Sequence, residues 1–355
     1  MVVQEVFGKI VNIDIPADVF PTKKEIEEIE AVAPNCQHGW YQSVNKHDNG
    51  EPVDLHYRYW LPEGNKPKGI LIFTHGIHSH SGHGSRIDGR PLDIALLVDT
   101  FTSLGLAVYA ADMYGHGFSE GTRFYIPDWI GMRDDAINFC KLVADKNPKD
   151  IPLFLSGESI GGCITILMSR YFQDHPGEAP TNFDSSLLLC PAIEGDVPGF
   201  PVYQILRYVL APMRPKWRPF FMPNTISPDR IWADEKVCAE YSKPRSQEMQ
   251  IDACGIPFRL GTAVNMLMAL EEVRNNCIPG FDKPFCIVHG DKDVGVPISG
   301  SKLLFGGCAT PENEKEFHTI QGAHHGIIAD PKAEEAIGYL SKFVQARMEA
   351  FTPPK

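Results

Sequence analysis

The sequence predicts an α/β fold with a mostly parallel central sheet, helices on both faces and an inserted, mainly helical cap. Three observations carry this. Short apolar runs alternate with amphipathic stretches along most of the chain. One apolar run passes through Gly157-Glu158-Ser159-Ile160-Gly161 directly into a helical pattern. The alternation then stops over residues 193–281 and resumes afterwards, as it does when a cap is inserted between two strands of one sheet.

Residues 1–50 read as an extension packed on the core, irregular apart from a short acidic helix from Lys23 to Val32. Residues 51–192 form the first part of the core. Leu55 to Trp60 alternates as a strand, and Ile70-Leu-Ile-Phe-Thr is a buried strand ending at His75-Gly76. A helix spans Pro91 to Leu104, Ala107-Val-Tyr-Ala-Ala is the next strand, and Trp129 to Lys146 is an amphipathic helix. Pro152 to Leu155 is a buried strand, followed by a helix with apolar residues Ile164, Ile166, Leu167 and Tyr171 at helical spacing. Ser186 to Pro191 is a further strand. In the cap, Val197 to Met213 is nearly all apolar with Arg207 its only charge, prolines follow, and Gly261 to Val273 is a helix. Residues 282–355 complete the core with strands at Pro284–Gly290 and Glu316–Ile320 and a helix from Pro331 to about Met348.

Composition narrows the function. The 355 residues carry a formal net charge of −12, which argues against nucleic acid as a partner and gives no general attraction to anionic membranes. No basic, then apolar, leader opens the chain, and no apolar run has the ~18 residues that cross a bilayer. The nine cysteines are scattered, several in apolar runs, which fits reduced thiols in the cytoplasm.

Strand, tight turn and helix is the setting of a nucleophile elbow, in which a serine oxygen stands free beside a helix N-terminus. Gly117-Phe-Ser119-Glu-Gly121 has the same spacing, but Thr-Arg-Phe-Tyr-Ile-Pro follows it and no helix receives Ser119. Ser159 is therefore the candidate nucleophile and Ser119 a loop residue. An activated serine needs a base, and the base an orienting acid, each on a loop at the C-terminal edge of the sheet. The loop after Phe285–His289 offers Asp291 and Asp293, and the loop after Glu316–Ile320 offers His324 and His325.

Taken together, His75-Gly76, Asp112-x-x-Gly115-His-Gly-x-Ser-x-Gly121, Gly157-Glu-Ser-x-Gly-Gly162, His289-Gly-x-x-Asp293 and Gly322-x-x-His325 resemble the monoacylglycerol lipase family of serine α/β-hydrolases over about residues 52–345. The elbow with Glu158 resembles plant and algal members, among them lysophospholipase-like and caffeoylshikimate-type esterases. The resemblance implies the α/β-hydrolase fold, Asp293 as the acid, His325 as the base, and an oxyanion hole from the backbone N–H groups of Ile77 and Ile160. It also implies ester hydrolysis through an acyl-enzyme with no cofactor and no metal. The family has Gly-x-x-Glu-His-Ser after its His-Gly, whereas this chain has Gly76-Ile-His78-Ser-His80-Ser, so the polar contacts near the acyl carbonyl differ.

His75, Gly76 and Glu158 are expected at the substrate, with Tyr203, Ile205 and Val209 as walls of an acyl tunnel. Tyr203, Tyr208, Phe220 and Phe221 read equally as the cap's own core. His75, His78, His80 and His83 match no zinc spacing, and His116 reads as a packed turn residue. The expected substrate is a monoacylglycerol or lysolipid, with transient membrane-surface contact through the cap. A phenolic or small soluble ester, a thioester, and a non-catalytic binding role are the rivals. An epoxide hydrolase or dehalogenase would need a carboxylate where Ser159 stands.

Overall fold

The computed structural model describes residues 2–6, 9–13, 21–31, 36–87, 90–220, 222, 226–241 and 257–354; of residues 2–6, 9–13, 83–87, 90–93 and 240–241 only the backbone is described. Its centre is one sheet of eight strands: β1 (Cys36–Lys46), β2 (Pro52–Trp60), β3 (Gly69–Thr74), β4 (Leu106–Ala111), β5 (Leu153–Glu158), β6 (Phe183–Leu189), β7 (Phe285–Gly290) and β8 (Lys315–Ile320). Their order across the sheet is β8-β7-β6-β5-β3-β4-β2-β1. β1 and β2 run antiparallel to their neighbours and the other pairs are parallel.

A parallel sheet needs cover on both faces, and the strands supply apolar side chains to both. Ile70, Ile72, Leu153, Leu155 and Leu188 point into one core, where they meet Phe139 and Val143 of α3 (Trp129–Lys146) and Ile164 and Phe172 of α4 (Ile160–Asp174). Leu71, Phe73, Phe154, Leu187 and Leu189 point into the other, against Val98 and Phe101 of α2 (Ala95–Ser103) and Leu340 and Phe343 of the helix over Ala333–Ala350. Thr74 pairs with Gly157, and Glu158 with Leu189, so β3, β5 and β6 end level and deliver their loops to one edge.

The structure corrects several sequence boundaries. The extension expected over residues 1–50 contributes the edge strand β1. Its period-two signal is blurred because an edge strand is half-exposed and carries polar residues; it is fastened by Asp135 of α3, which accepts from Ser43 Oγ and Val44 N–H at 2.6 Å each. The helix expected from Pro91 begins at Ala95, because 90–93 pairs with 83–87 as a hairpin. Ile298–Gly307 is a helix that its glycines and serines concealed; Gly300 packs so closely on Ile193 that a Cβ there would lie 2.9 Å from the Ile193 side chain. Between β6 and β7 there is no strand among the described residues. Helical pieces occupy this insertion at 202–213, Pro228–Ile231, Glu235–Tyr241 and 260–277.

Candidate active site

β5 delivers Glu158 and α4 starts at Ile160, which leaves Ser159 alone to reverse the chain. Its φ of 56° and ψ of −121° lie where side-chain-bearing residues are rare. The neighbours fix this conformation: Ser159 N–H donates to Leu189 O at 3.0 Å, and Ser159 O accepts from Ala192 N–H at 2.8 Å. Two glycines permit the turn. A Cβ on Gly157 would sit 2.2 Å from Gly161 O, and one on Gly161 would sit 2.1 Å from Thr74 O.

Asp293 and His325, the expected acid and base, meet across the sheet edge. His325 Nδ1–H donates to Asp293 Oδ2 at 2.7 Å. Asp293 Oδ1 accepts from Gly295 and Val296 N–H at 2.8 and 2.7 Å, so the carboxylate is held by its own loop. His289 Nε2 lies 3.1 Å from Asp293 Oδ2. Burial alone would push the Asp293 carboxyl up, but the charges and hydrogen bonds of His325 and His289 hold it well below the usual range. Burial likewise opposes a proton on His325; the Asp293 charge and hydrogen bond, with a smaller push from Glu158, nevertheless raise its pKa above the ordinary 6.5.

The competing residues of each pair lie elsewhere. Asp291 Oδ1 accepts from Gly322 N–H at 2.6 Å and so ties two loops together. His324 donates its N–H to Asp330 and lines neither cavity at Ser159. Ser119 is fully buried, its Oγ donating to Asp112 O at 2.5 Å and accepting from His56 N–H at 2.8 Å. His116 is a buried turn residue whose Nδ1–H donates to Tyr114 O.

The loop after β3 passes directly over Ser159. A Cβ on Gly76 would touch Ser159 Cβ at 3.4 Å, and Ser79 N–H closes a turn onto Gly76 O. His75 is buried and neutral, its pKa lowered by burial; its Nδ1–H donates to Gly76 O, and its Nε2 accepts from Met113 N–H at 3.0 Å. His80 Nδ1 accepts from Gly82 N–H, so these histidines serve the loop's own backbone. The side chain of His83 lies outside the described residues.

Two cavities share Ser159, His325 and Ile77. The larger, about 340 Å³, extends under the cap between Ile160, Tyr203, Leu206, Leu260, Val264 and Leu267. The smaller, about 90 Å³, is bounded by His75, Gly76, His78, Ser79, Glu158 and Trp232. Of the expected tunnel wall, Tyr203 lines the larger cavity, but Ile205 and Val209 do not. They are 47 % and 48 % exposed, on the outer side of the 202–213 helix, and Leu206 faces inward in their place. Residues 206–210 of that helix form a wider π turn, which shifts its register; a sequence with so few polar residues offers little periodicity from which to read the inner face. Tyr208 and Phe220 are exposed, and Phe221 lies outside the described residues. Sequence reasoning missed Leu206, Trp232 and Phe258, which carry no motif.

Cys190, His289 and Asp293 bring metal-binding atoms within 4.8 Å of one another. Their polar atoms are engaged within the protein: His289 Nε2 faces the two acceptors Asp293 Oδ2 and Val296 O, which places the proton there, and Nδ1 accepts from Ser301 Oγ.

Comparison with known proteins agrees with this architecture. The rat monoglyceride lipase is 28% identical over 287 residues, covering 80% of this chain and 84% of the relative. The Arabidopsis thaliana caffeoylshikimate esterase is 29% identical over 302 residues, covering 82% of each. A solved structure, a soluble variant of monoglyceride lipase from Saccharomyces cerevisiae in complex with a substrate analogue, superposes with a TM-score of 0.66 at 18% identity, covering 95% of this chain and 100% of that one; it is a likeness of fold. The family model described as serine aminopeptidase, S33 (Hydrolase_4), matches residues 65–332. The chain belongs to this serine hydrolase family and has the α/β-hydrolase fold.

Proposed function

We propose that this protein hydrolyses the acyl ester of monoacylglycerols or closely related single-chain lipids. The observation that carries the reading is the pair of unequal cavities meeting at Ser159. The larger is mainly apolar, as an acyl chain requires, and the smaller mixes apolar walls such as Phe73, Ile94 and Ile231 with the polar groups of His75, His78, Ser79 and Glu158, which a short polyol can meet. Ser159 Oγ attacks the ester carbonyl carbon while His325 Nε2 takes its proton. Asp293 holds the imidazole with Nε2 toward the serine and stabilises the imidazolium. The N–H groups of Ile77 and Ile160 stabilise the tetrahedral oxyanion, each worth ~3–4 kcal/mol. His325 then protonates the departing alcohol and activates the water that releases the acid. The relatedness to rat monoglyceride lipase supports the same substrate class.

Residues 193–281 act as the cap, and their exposed apolar face adds a second part to the proposal. Phe200, Ile205, Tyr208, Val209 and Phe220 are exposed apolar side chains of this segment that line neither cavity. Among the described residues no helix is long and apolar enough to cross a membrane. The net negative charge gives no electrostatic pull, so contact with a lipid surface is made by shallow insertion of these side chains. We place the protein in the cytoplasm, bound peripherally at membranes.

A substrate panel tests the whole reading. The preparation should label with a fluorophosphonate at Ser159, and kcat/KM should rise with acyl length among monoacylglycerols and exceed that for short soluble esters. The relatedness to caffeoylshikimate esterase supports a phenolic ester instead. A panel in which phenolic esters outrun every monoacylglycerol would decide for that alternative.

A further inference from the structure

Arg58 on β2 is 1 % exposed, a charge that needs partners inside the fold. Its Nε and Nη2 donate to Glu30 Oε1 at 2.9 and 2.6 Å, and its Nη1 donates to Ser81 Oγ at 2.9 Å. The Asp112 carboxylate is 3.5 Å from Nη1. That carboxylate in turn accepts from Ser81 N–H at 2.6 Å, from Phe118 N–H at 2.9 Å and from His56 Nδ1–H at 3.2 Å. Burial alone would raise the Asp112 carboxyl, but Arg58 and His56 keep it far below the usual range and therefore charged. His56 is neutral, lowered by burial and by Arg58.

This network lies directly behind the loop that crosses Ser159. The loop is pinned at both ends to one dipeptide after β4: His75 Nε2 to Met113 N–H, and Ser81 N–H to Asp112. Residues 76–85 hold no acidic side chain, so the loop cannot balance Arg58 itself. The second carboxylate comes from α1 (Lys23–Glu30), which lies outside the residues matched by the family. α1 is firmly seated. Thr22 and Glu25 form a capping box, Ile26 and Ile29 are buried, and Lys23 pairs with Asp54 and Glu120.

We infer that α1, through Glu30, is a positioning element for the oxyanion loop, so that the segment preceding the family's matched region sets the turnover of the site. Without the Glu30 charge, the Nε and Nη2 donors of Arg58 lose their acceptor, and the guanidinium leans on Asp112 and pulls that carboxylate from Ser81 and Phe118 N–H. The loop carrying the Ile77 N–H then shifts while the triad stays in place. The inference rests on the oxyanion role proposed above for Ile77.

The test uses full-length Glu30→Gln with a soluble 4-nitrophenyl ester, active sites being counted by fluorophosphonate titration. A trifluoromethyl ketone provides the second readout: Ser159 Oγ adds to its carbonyl carbon, the proton passes to His325, and the oxygen becomes an oxyanion in the hole. We expect kcat per titrated site to fall roughly 10- to 100-fold, as a misplacement of about 1 Å does. KM should stay within about twofold, and the ketone's affinity should fall in step with kcat/KM. A kcat per site and a ketone affinity both within about twofold of wild type would overturn the inference, whatever happens to the melting temperature. Should Glu30→Gln fail to fold, Glu30→Asp decides, since it keeps the buried charge paired but withdraws it from Arg58 by one methylene. That variant should fold yet remain slow and weak for the ketone, because the guanidinium shifts with its partner; wild-type values would overturn the inference. Failure of the underlying oxyanion reading looks different: the wild-type enzyme would not bind the ketone at all.

Discussion

The sheet core and the cap use apolar residues in opposite ways. In β3, Ile70, Leu71, Ile72 and Phe73 are each buried between two helical layers. In the 202–213 helix, whose polar side chains are few, Ile205 is 47 % exposed and Met213 71 %. Core apolar surface is spent on rigidity, and the rigidity holds Ser159, Asp293 and His325 at one edge. Cap apolar surface is kept available, inward to a cavity and outward to solvent. On the proposed reading, the chemistry is fixed by the part of the molecule that cannot move without unfolding, and selection of the ester falls to the insertion, whose own buried cluster around Ala211, Leu260 and Val264 is small.

The largest effects should come from the core. Ser159→Ala should abolish fluorophosphonate labelling and lower kcat by ~10⁴-fold or more, while Ser119→Ala leaves labelling intact. The cost of Ser119→Ala appears as stability, ~1–3 kcal/mol by denaturant titration, because His56 N–H and Asp112 O lose a buried partner. Labelling that survives in Ser159→Ala would break the core side of the comparison.

Next in size are the paired loops. Asp293→Asn should cost ~10⁴-fold in kcat by destroying the His325 tautomer, and His325→Ala at least as much. Asp291→Asn and His324→Ala should stay near wild-type kcat, since one braces Gly322 and the other lines neither cavity. The reverse ranking would mean that the wrong residue of each pair has been assigned.

The cap should respond according to the side of the helix. Leu206→Ala removes apolar wall worth about 2 kcal/mol at ~0.8 kcal/mol per methylene, so kcat/KM for long-chain monoacylglycerols should fall more than tenfold, with short soluble esters almost unaffected. Ile205→Ser/Val209→Ser should leave soluble-ester kinetics unchanged and weaken sedimentation with phosphatidylcholine vesicles. If the outer pair shifted chain-length preference and Leu206 did not, inner and outer faces would be exchanged.

The smallest effect is a pH shift. His325 must be neutral to accept the serine proton, and its folded pKa is raised above 6.5, chiefly by Asp293 against the opposing effect of burial. The acidic limb of kcat/KM should therefore lie above 6.5, activity being lost as pH falls through it. Glu158→Gln removes one of the charges that raise it, and should move the limb down with kcat at its plateau preserved. An upward or absent shift would show that Glu158 is not felt at the base.

Sequence alone determined the parallel core and the order of its site. Buried parallel strands must be apolar on both faces, and a serine at a strained strand-to-helix turn must have small neighbours, so Ile70–Phe73, Leu153–Leu155 and Gly157-x-Ser-x-Gly161 are written locally. The two loops after β7 and β8 were also legible, each offering a pair of candidates. Choosing within each pair depends on which side chain points across the sheet edge, and that is a tertiary fact: His325 reaches Asp293 at 2.7 Å. Tertiary structure likewise decided β1, whose polar edge pattern becomes a strand only because β2 and Asp135 complete its hydrogen bonds. It decided the inner face of the cap helix, since a helix with so few polar residues has little periodicity to read. It alone joined Glu30 to Arg58, 28 residues apart in the chain, because the partner of a buried charge is chosen by proximity in space and leaves no periodic mark in the sequence.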